Sequence, residues 1–140
     1  MKKILLLISS FVIIFSSFSA SAVKVGAIYM DSQGFYGGVQ KGIITGAGDM
    51  GVELIGNNSQ GDVTKESEFI DQLISAGVEA VIMSPVSTEA SVAAVERIRE
   101  AGIPVVCYNT CLKAEDSDRL ISALVTTSQT ALGIHIGRLA

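Results

Sequence analysis

The sequence contains few of the residues that most catalytic and metal sites use. Among 140 residues there is one histidine, there are two cysteines, and tryptophan is absent. A Ser-His-Asp triad would depend on His135, which has no cysteine or acidic partner at metal-ligand spacing. We therefore expect no catalytic residue, no metal, no cofactor and no enzymatic activity, and we expect His135 to be structural or exposed.

Two further absences narrow the class of protein. The phosphate-binding motif GxxxxGK[ST] does not occur. Residues 46–51, GAGDMG, are rich in glycine but stand between a helix and the next strand, whereas phosphate binds where a strand leads into a helix. Two cysteines are also too few for a disulfide scaffold. A nucleotide-dependent enzyme and a small disulfide-rich protein are both disfavoured.

The first 22 residues belong to a different class of sequence from the rest. Two lysines precede an apolar run from Ile4 to Phe18, and residues 20–22, Ala-Ser-Ala, form the small-x-small pattern of a signal-peptidase site. The run is short for a membrane span, and no charged stop-transfer cluster follows it. We predict a secretory signal peptide over residues 1–22 that is cleaved after Ala22.

The chain after the predicted cleavage site is acidic. Cleavage removes two of the ten basic residues and none of the fourteen acidic ones, which leaves 118 residues with a net charge of −6. This charge argues against a nucleic-acid partner and against an anionic membrane surface. The remaining length suffices for one domain with a hydrophobic core.

Short β-branched runs alternate with longer segments of helical period, a pattern typical of βαβ units around a parallel sheet. Glycine recurs at Gly51, Gly77 and Gly102, where a helix must end and a strand begin. We predict an α/β, three-layer, Rossmann-like (flavodoxin-like) lobe over residues 23–140. The predicted strands cover residues 24–30, 52–55, 78–83, 104–108 and 121–126.

Helices are predicted between these strands. Apolar stripes near residues 69–74 and 92–98 indicate two amphipathic helices, and a third begins at residue 130. The glycine-rich helix between the first two strands needs packing for its stability. The candidate N-caps are Asp62 or Thr64 for the first stripe and Ser87 or Thr88 for the second.

Ligands of an open parallel sheet bind beyond the carboxyl ends of its strands. The loop at 31–36, DSQGFY, combines an acid, a hydroxyl and an amide with two aromatic rings. Such a set suits a small polyhydroxylated ligand, because rings stack on its apolar face and polar groups bind its hydroxyls. The alternative is that the rings only pack the helix start. The loops at 57–62, 84–88 and 109–113 share this edge, and the candidate ligand-binding residues are Ser32, Gln33, Phe35, Tyr36, Asn109 and Thr110.

Cys107 and Cys111 are four residues apart. In a straight strand their Cα atoms would be about 13 Å apart, too far for a disulfide. A turn at Asn109 and Thr110 could bring them together, and in an oxidising compartment a disulfide pinning this loop is one alternative. The other is one buried thiol and one loop thiol.

The sequence after the signal peptide resembles the periplasmic sugar-binding proteins of ABC transporters, of the ribose and galactose/glucose type. The stretches KVGAIYMDSQGFYGGVQKG, NNSQGDVTKESEFIDQLISAGVEAVIMSPV and AGIPVVCYN carry the resemblance. It implies a type I periplasmic binding protein, whose two α/β lobes close on a ligand about a hinge. This sequence corresponds to the N-terminal lobe only, with the second lobe absent.

The resemblance also implies roles for individual residues. It places the sugar-stacking aromatic at Phe35 with Tyr36 beside it, a polar contact at Gln33 and a hydroxyl-binding amide at Asn109. Gln33 stands where an acid is common in this family, and Thr110 stands where the ribose branch has arginine. The ligand's identity therefore stays open among sugars, polyols and furanone signals.

The function implied is that of a periplasmic, monomeric solute-binding component. It would bind a small carbohydrate or polyol and deliver it to an inner-membrane ABC permease. The alternative is a periplasmic sensing module that signals to a histidine kinase or chemoreceptor, because its lobes would look the same. A ligand-responsive repressor core is disfavoured by the signal peptide and by the absence of a helix-turn-helix.

Overall fold

A computed structural model describes residues 22–127, in which five strands alternate with four helices. Residues 1–21 of the predicted signal peptide, His135 and the helix predicted from residue 130 lie outside the described residues. The elements are β1 (Lys24–Tyr29), α1 (Gly34–Asp49), β2 (Glu53–Asn58), α2 (Val63–Ser75), β3 (Ala80–Met83), α3 (Val92–Glu100), β4 (Val105–Tyr108), α4 (Ala114–Leu120) and β5 (Ala123–Val125).

All neighbouring strands of the sheet are parallel, in the order β2-β1-β3-β4-β5. The strand order reverses at β1, which lies between β2 and β3. At such a switch point the flanking loops diverge to opposite faces and leave a crevice at the carboxyl edge. Ile28 pairs with Met83, and Met83 pairs with Cys107, so β1, β3 and β4 end side by side. This architecture confirms the predicted fold class.

Several strand boundaries differ from the sequence prediction, and two of them have a clear structural reason. Asn57 and Asn58, predicted as loop, continue β2 because they pair with the last two residues of β1. Val78, predicted to open β3, instead closes α2: its N–H donates to the carbonyl of Leu73 at 3.4 Å, in a Schellman-type turn around Gly77. Hydrophobic runs identify buried residues, whereas the hydrogen-bond ladder decides which of them are strand.

The main hydrophobic core lies between the sheet and helices α2 and α3. Ile70 and Leu73 from α2 and Val95 and Ile98 from α3 are all essentially inaccessible to solvent. The sheet approaches α2 closely because Gly26 of β1 has no side chain. A Cβ built on Gly26 would lie 2.7 Å from Cδ1 of Leu73.

Helix α1 covers the other face less completely. Glycines recur along it, and none of its residues is fully buried within the described part of the chain. A Cβ added at Gly38, Gly42 or Gly46 would meet nothing within 4 Å. Ile44 is 52% exposed on the same helix. Among residues 22–127, α1 contacts β2 and its least accessible residues are only half-buried, so the packing expected for α1 is partial.

The glycine joints and one of the two predicted caps are confirmed. Gly51, Gly77 and Gly102 have φ values of 66°, 67° and 77°, which an L side chain rarely adopts. Asp62 caps α2, accepting hydrogen bonds from the main-chain N–H groups of Thr64 and Lys65. The predicted cap of α3 at Ser87 or Thr88 was wrong, because α3 begins after Ser91. The Ser87 hydroxyl instead caps the preceding turn, accepting hydrogen bonds from the main-chain N–H groups of Glu89 and Ala90.

We predict opposite effects of alanine at two of these glycines. Gly26→Ala should lower the free energy of unfolding by about 1–3 kcal/mol, because Leu73 sits in a filled core and must move. Gly42→Ala should raise it by up to about 1 kcal/mol, because the new methyl meets nothing and alanine favours a helix. Urea titration of both variants measures this, and equal effects at the two sites would contradict the described packing.

Candidate functional site

The carboxyl edge of the sheet brings the first and fourth ligand loops together. The side-chain Nδ2 of Asn109, after β4, donates a hydrogen bond of 3.1 Å to the hydroxyl of Tyr36, in the first turn of α1. These two residues are 73 positions apart in sequence. Parallel strands end at the same edge of a sheet, which is why two of the predicted site residues meet there.

The loop 31–36 is shaped by its own aspartate. Asp31 Oδ1 accepts hydrogen bonds from the main-chain N–H groups of Ser32 at 2.6 Å and Gln33 at 3.2 Å. Helix α1 then begins at Gly34, so that both aromatic rings belong to its first turn rather than to a loop. The Asp31 carboxylate therefore sets the entry angle of α1 and with it the direction of the rings.

The two rings pack edge to face against each other. Their centroids are 5.4 Å apart, with the planes at 79°, which is a favourable aromatic geometry. Phe35 is 54% exposed, whereas Tyr36 is half-buried and bonded to Asn109. The Phe35 ring is therefore held by its neighbour while much of its surface remains open to a ligand.

Asn109 occupies an unusual backbone conformation. Its φ is 61°, in the left-handed region, which asparagine tolerates better than most residues do. Its main-chain N–H donates to the carbonyl of Val125 at 2.9 Å, and its Nδ2 also contacts Thr110 Oγ1 at 3.3 Å. These bonds hold the amide at the edge, and both Asn109 and Thr110 are exposed.

A small cleft opens beside this pair. Its volume is about 200 Å³, below the range of roughly 300–1,000 Å³ that encloses a complete small-molecule ligand. The cleft is therefore too small to enclose such a ligand and forms only one side of a candidate binding site. It is lined by Phe35, Val39, Tyr108, Asn109, Val125, Thr126 and Thr127.

The other two predicted contacts are less integrated into the edge. Ser32 and Gln33 are both exposed, and neither side chain hydrogen-bonds to another described residue. Their main-chain N–H groups are instead committed to Asp31. The structure therefore brings Phe35, Tyr36 and Asn109 together and leaves Ser32 and Gln33 beside them.

Two residues at this edge were not singled out from the sequence. Ser84 directly follows β3, between the ends of β1 and β4, and its buried hydroxyl has no partner among the described residues. Tyr108 lies beneath the cleft, and its hydroxyl donates to the carbonyl of Ile28 at 3.4 Å. Burial raises the pKa of Tyr108 to about 12, so it stays a neutral donor. Position at a strand end, without any motif, was the only sequence signal for either residue.

A buried carboxylate supports the loop after β3. Glu66, in the first turn of α2, is inaccessible to solvent, and its Oε2 accepts a hydrogen bond of 2.8 Å from the main-chain N–H of Val86. Burial raises its pKa, while hydrogen bonds from Ser91 and Val86 oppose the shift in part. Glu66 therefore fixes the loop 84–88 against α2.

Of the two alternatives for the cysteines, the structure shows the disulfide. Cys107 and Cys111 form a disulfide with their Cα atoms 5.6 Å apart, so the chain turns between them as a disulfide requires. The turn contains Asn109 and Thr110. The crosslink thus encloses two of the candidate ligand-binding residues.

Two lysines near this edge have local partners. Lys113 forms an ion pair with Glu89, and Lys65 Nζ donates to Gln60 Oε1 at 2.7 Å. Apart from the carboxylate of Asp31, which accepts from two main-chain N–H groups, the candidate residues carry aromatic, amide and hydroxyl groups, a composition suited to a neutral polar ligand.

Across residues 22–127, no group of three or more histidine, cysteine or acidic side chains could hold a metal ion. The same residues include no helix long and apolar enough to cross a membrane.

The fold and this edge define an α/β binding lobe, and comparison with known proteins identifies the family. The family model described as "Periplasmic binding protein domain" matches residues 25–140. The chain therefore belongs to the periplasmic binding protein family, which implies a periplasmic location. Its lobe has the type I fold of that family. The resemblance seen in the sequence is confirmed.

Individual relatives agree with this assignment. The chain is 41% identical over 129 residues to the ABC transporter periplasmic-binding protein YphF of Escherichia coli, covering 91% of this chain and 39% of that protein. It is 29% identical over 93 residues to a xylitol-binding protein of Mycolicibacterium smegmatis, covering 66% of this chain and 27% of the relative. The chain thus spans well under half the length of these curated relatives.

Solved structures share the fold. An ABC transporter solute-binding protein from Bacillus halodurans with bound myo-inositol superposes with a TM-score of 0.67 at 25% identity, over 76% of this chain and 37% of that one. The arabinose-binding protein of a Shewanella ABC transporter gives a TM-score of 0.72 at 23% identity, over 83% and 38%. The second likeness concerns the fold alone.

We predict a pH-dependent contribution of Glu66 to stability. Because its pKa is raised in the folded lobe, folding favours the protonated acid, and stability falls as pH rises from the usual range of a glutamic acid through the raised value. Glu66→Gln abolishes this titration, so the native protein should lose stability relative to Glu66→Gln between pH 4 and pH 7.5. Urea titrations across that range measure the difference. Glu68→Gln, an exposed position, controls for charge. A native protein whose stability stays level with that of Glu66→Gln, or rises relative to it, as pH increases would contradict the prediction.

Proposed function

We propose that this protein is the solute-binding component of an ABC transporter and binds a neutral, polyhydroxylated small molecule such as a sugar or polyol in the periplasm. One observation carries the proposal. The exposed Phe35 ring stands beside the hydrogen-bonded pair of Tyr36 and Asn109, at the carboxyl edge of a parallel sheet. The names of the relatives support it, since they include xylitol-binding and ribose import binding proteins.

Ligand capture follows from the chemistry of this edge. The carbon–hydrogen face of a sugar ring or polyol stacks on Phe35, and its hydroxyls bond to the amide of Asn109 and to neighbouring hydroxyls. The cleft offers one wall only, so a second lobe closing over the ligand supplies the remaining contacts. Contacts from both lobes favour the closed state, which the permease then recognises. The protein itself performs no reaction.

The predicted signal peptide and the disulfide are both consistent with a protein that works in the periplasm. We propose that residues 1–22 are cleaved as a signal peptide and that the mature protein works as a monomer in the periplasm. The Cys107–Cys111 disulfide is suited to that oxidising compartment. A sensing module for a histidine kinase or chemoreceptor would use the same lobe. Genes for a permease and an ATPase beside this gene would favour transport, whereas a kinase gene there would favour sensing.

The binding site is tested by removing the exposed ring. We expect Phe35→Ala to weaken binding of whichever of myo-inositol, xylitol, ribose or L-arabinose binds most tightly by about tenfold or more, because the stacking surface is lost. Nuclear magnetic resonance titration of the full chain reads affinity even when binding is weak. Ile44→Ala removes a similarly exposed apolar side chain from the same helix and is the matched control. Equal affinities of the two variants would exclude Phe35 from the site.

Export is tested by the mass of the secreted chain. We expect the protein recovered from the periplasm to begin at Val23, because signal peptidase requires small residues at positions 20 and 22. Ala20→Lys should block processing, whereas Ser21→Ala should leave it intact, since the middle position of the pattern is free. Recovery of an unprocessed native chain from the periplasm would contradict the assigned cleavage site.

A further inference from the structure

The disulfide encloses the end of β4 at the candidate site. Cys107 lies in β4 and is fully buried, whereas Cys111 follows the loop and is half-buried. An extended chain of this length would separate their Cα atoms by about 13 Å, but the observed separation is 5.6 Å. The chain therefore reverses direction between them, at Asn109 and Thr110.

Few main-chain hydrogen bonds hold this reversal. The N–H of Asn109 donates to the carbonyl of Val125 at 2.9 Å. The next ties along the loop are from Ser117 Oγ to the carbonyl of Leu112 at 2.9 Å and from the N–H of Lys113 to the carbonyl of Thr88 at 3.4 Å. In the part of the chain that the structure describes, the N–H groups of residues 110–111 make no backbone hydrogen bond. The covalent crosslink is thus the strongest constraint on this stretch.

The constrained conformation is the one that orients Asn109. A left-handed φ costs asparagine less than most residues with a side chain, but an asparagine in a loop that is free to move has other conformations available. In this conformation Nδ2 reaches the hydroxyl of Tyr36 at 3.1 Å and Oγ1 of Thr110 at 3.3 Å. A loop released from the crosslink has other backbone conformations within reach, in which the amide leaves Tyr36.

We propose that the Cys107–Cys111 disulfide is a positioning crosslink for ligand binding: it holds Asn109 against Tyr36, and opening it lowers ligand affinity while the lobe stays folded. The inference rests on the proposed function, because it concerns the same site. Stabilisation by a disulfide grows with the length of the loop it closes. This loop is very short, so the crosslink contributes less to global stability than one that closes a long loop would, and the lobe stays folded without it.

Opening the crosslink is an ordinary two-electron reduction. A thiolate of a dithiol reductant attacks the accessible sulfur of Cys111, and Cys107 leaves as a thiolate that takes up a proton. The second thiol of the reductant then attacks the mixed disulfide, which releases Cys111 and leaves the reductant as a cyclic disulfide. The protein gains two electrons and two protons, and no other bond changes.

The test compares oxidised and reduced protein. The full chain, exported with its own leader and isotope-labelled, is titrated with myo-inositol, xylitol and L-arabinose before and after treatment with dithiothreitol. Mass spectrometry establishes that reduction is complete. Cys111→Ser opens the same crosslink without reductant and keeps the buried Cys107. Adding dithiothreitol to Cys111→Ser controls for effects of the reductant elsewhere.

We expect reduction and Cys111→Ser each to weaken binding by roughly tenfold, as the loss of one ordered hydrogen bond to the ligand would. The side-chain amide resonance of Asn109 and the resonances of Tyr36 should shift, while those of the core stay in place and the melting temperature falls by several degrees at most. Dithiothreitol should have no further effect on Cys111→Ser.

Equal affinity and an unmoved Asn109 resonance after reduction would overturn the positioning role. Loss of affinity only together with global unfolding would overturn it as well. Failure of the oxidised protein to bind any of the three probes would instead count against the proposed function. In that case the response of the Asn109 and Tyr36 resonances to reduction decides the positioning role alone.

Discussion

Parallel pairing of β1 with β3 and of β3 with β4 is the constraint on which the site depends. It ends three strands at one edge, so that the segments after Tyr29, Met83 and Tyr108 emerge side by side. The hydrogen bond between Asn109 and Tyr36 is a consequence of that pairing. A shift of register by one residue would turn every side chain of a strand to the opposite face and separate the two groups.

Three interactions outside the cleft hold the loops at the carboxyl edge in place. Asp31 directs the start of α1, Glu66 holds the loop after β3, and the disulfide closes the loop after β4. Each anchors one strand-to-helix loop to a neighbouring element or to itself. A binding site at this edge would benefit from such preformed walls, because ordering loops at the moment of binding costs affinity.

Much of this arrangement could be predicted from the sequence. Alternation of β-branched runs with amphipathic stripes indicated the α/β lobe, and the glycines at 51, 77 and 102 marked the helix ends because few other residues adopt that conformation. The pairing of Cys107 with Cys111 stayed open, because whether the loop turns back depends on tertiary contacts. The role of Glu66 was missed, since a single polar residue in an amphipathic pattern resembles surface until its burial is known. The role of Ser84 was missed because a serine at the end of a strand carries no motif.

The proposed function depends on one contact, that of a polyhydroxylated ligand with the exposed ring of Phe35, beside Asn109. Nuclear Overhauser effects between carbon-bound protons of a bound polyol, such as myo-inositol, and protons of the protein measure this contact directly. We expect strong effects to the ring protons of Phe35 and to the side-chain amide of Asn109. Effects confined to residues away from the carboxyl edge of the sheet would contradict it.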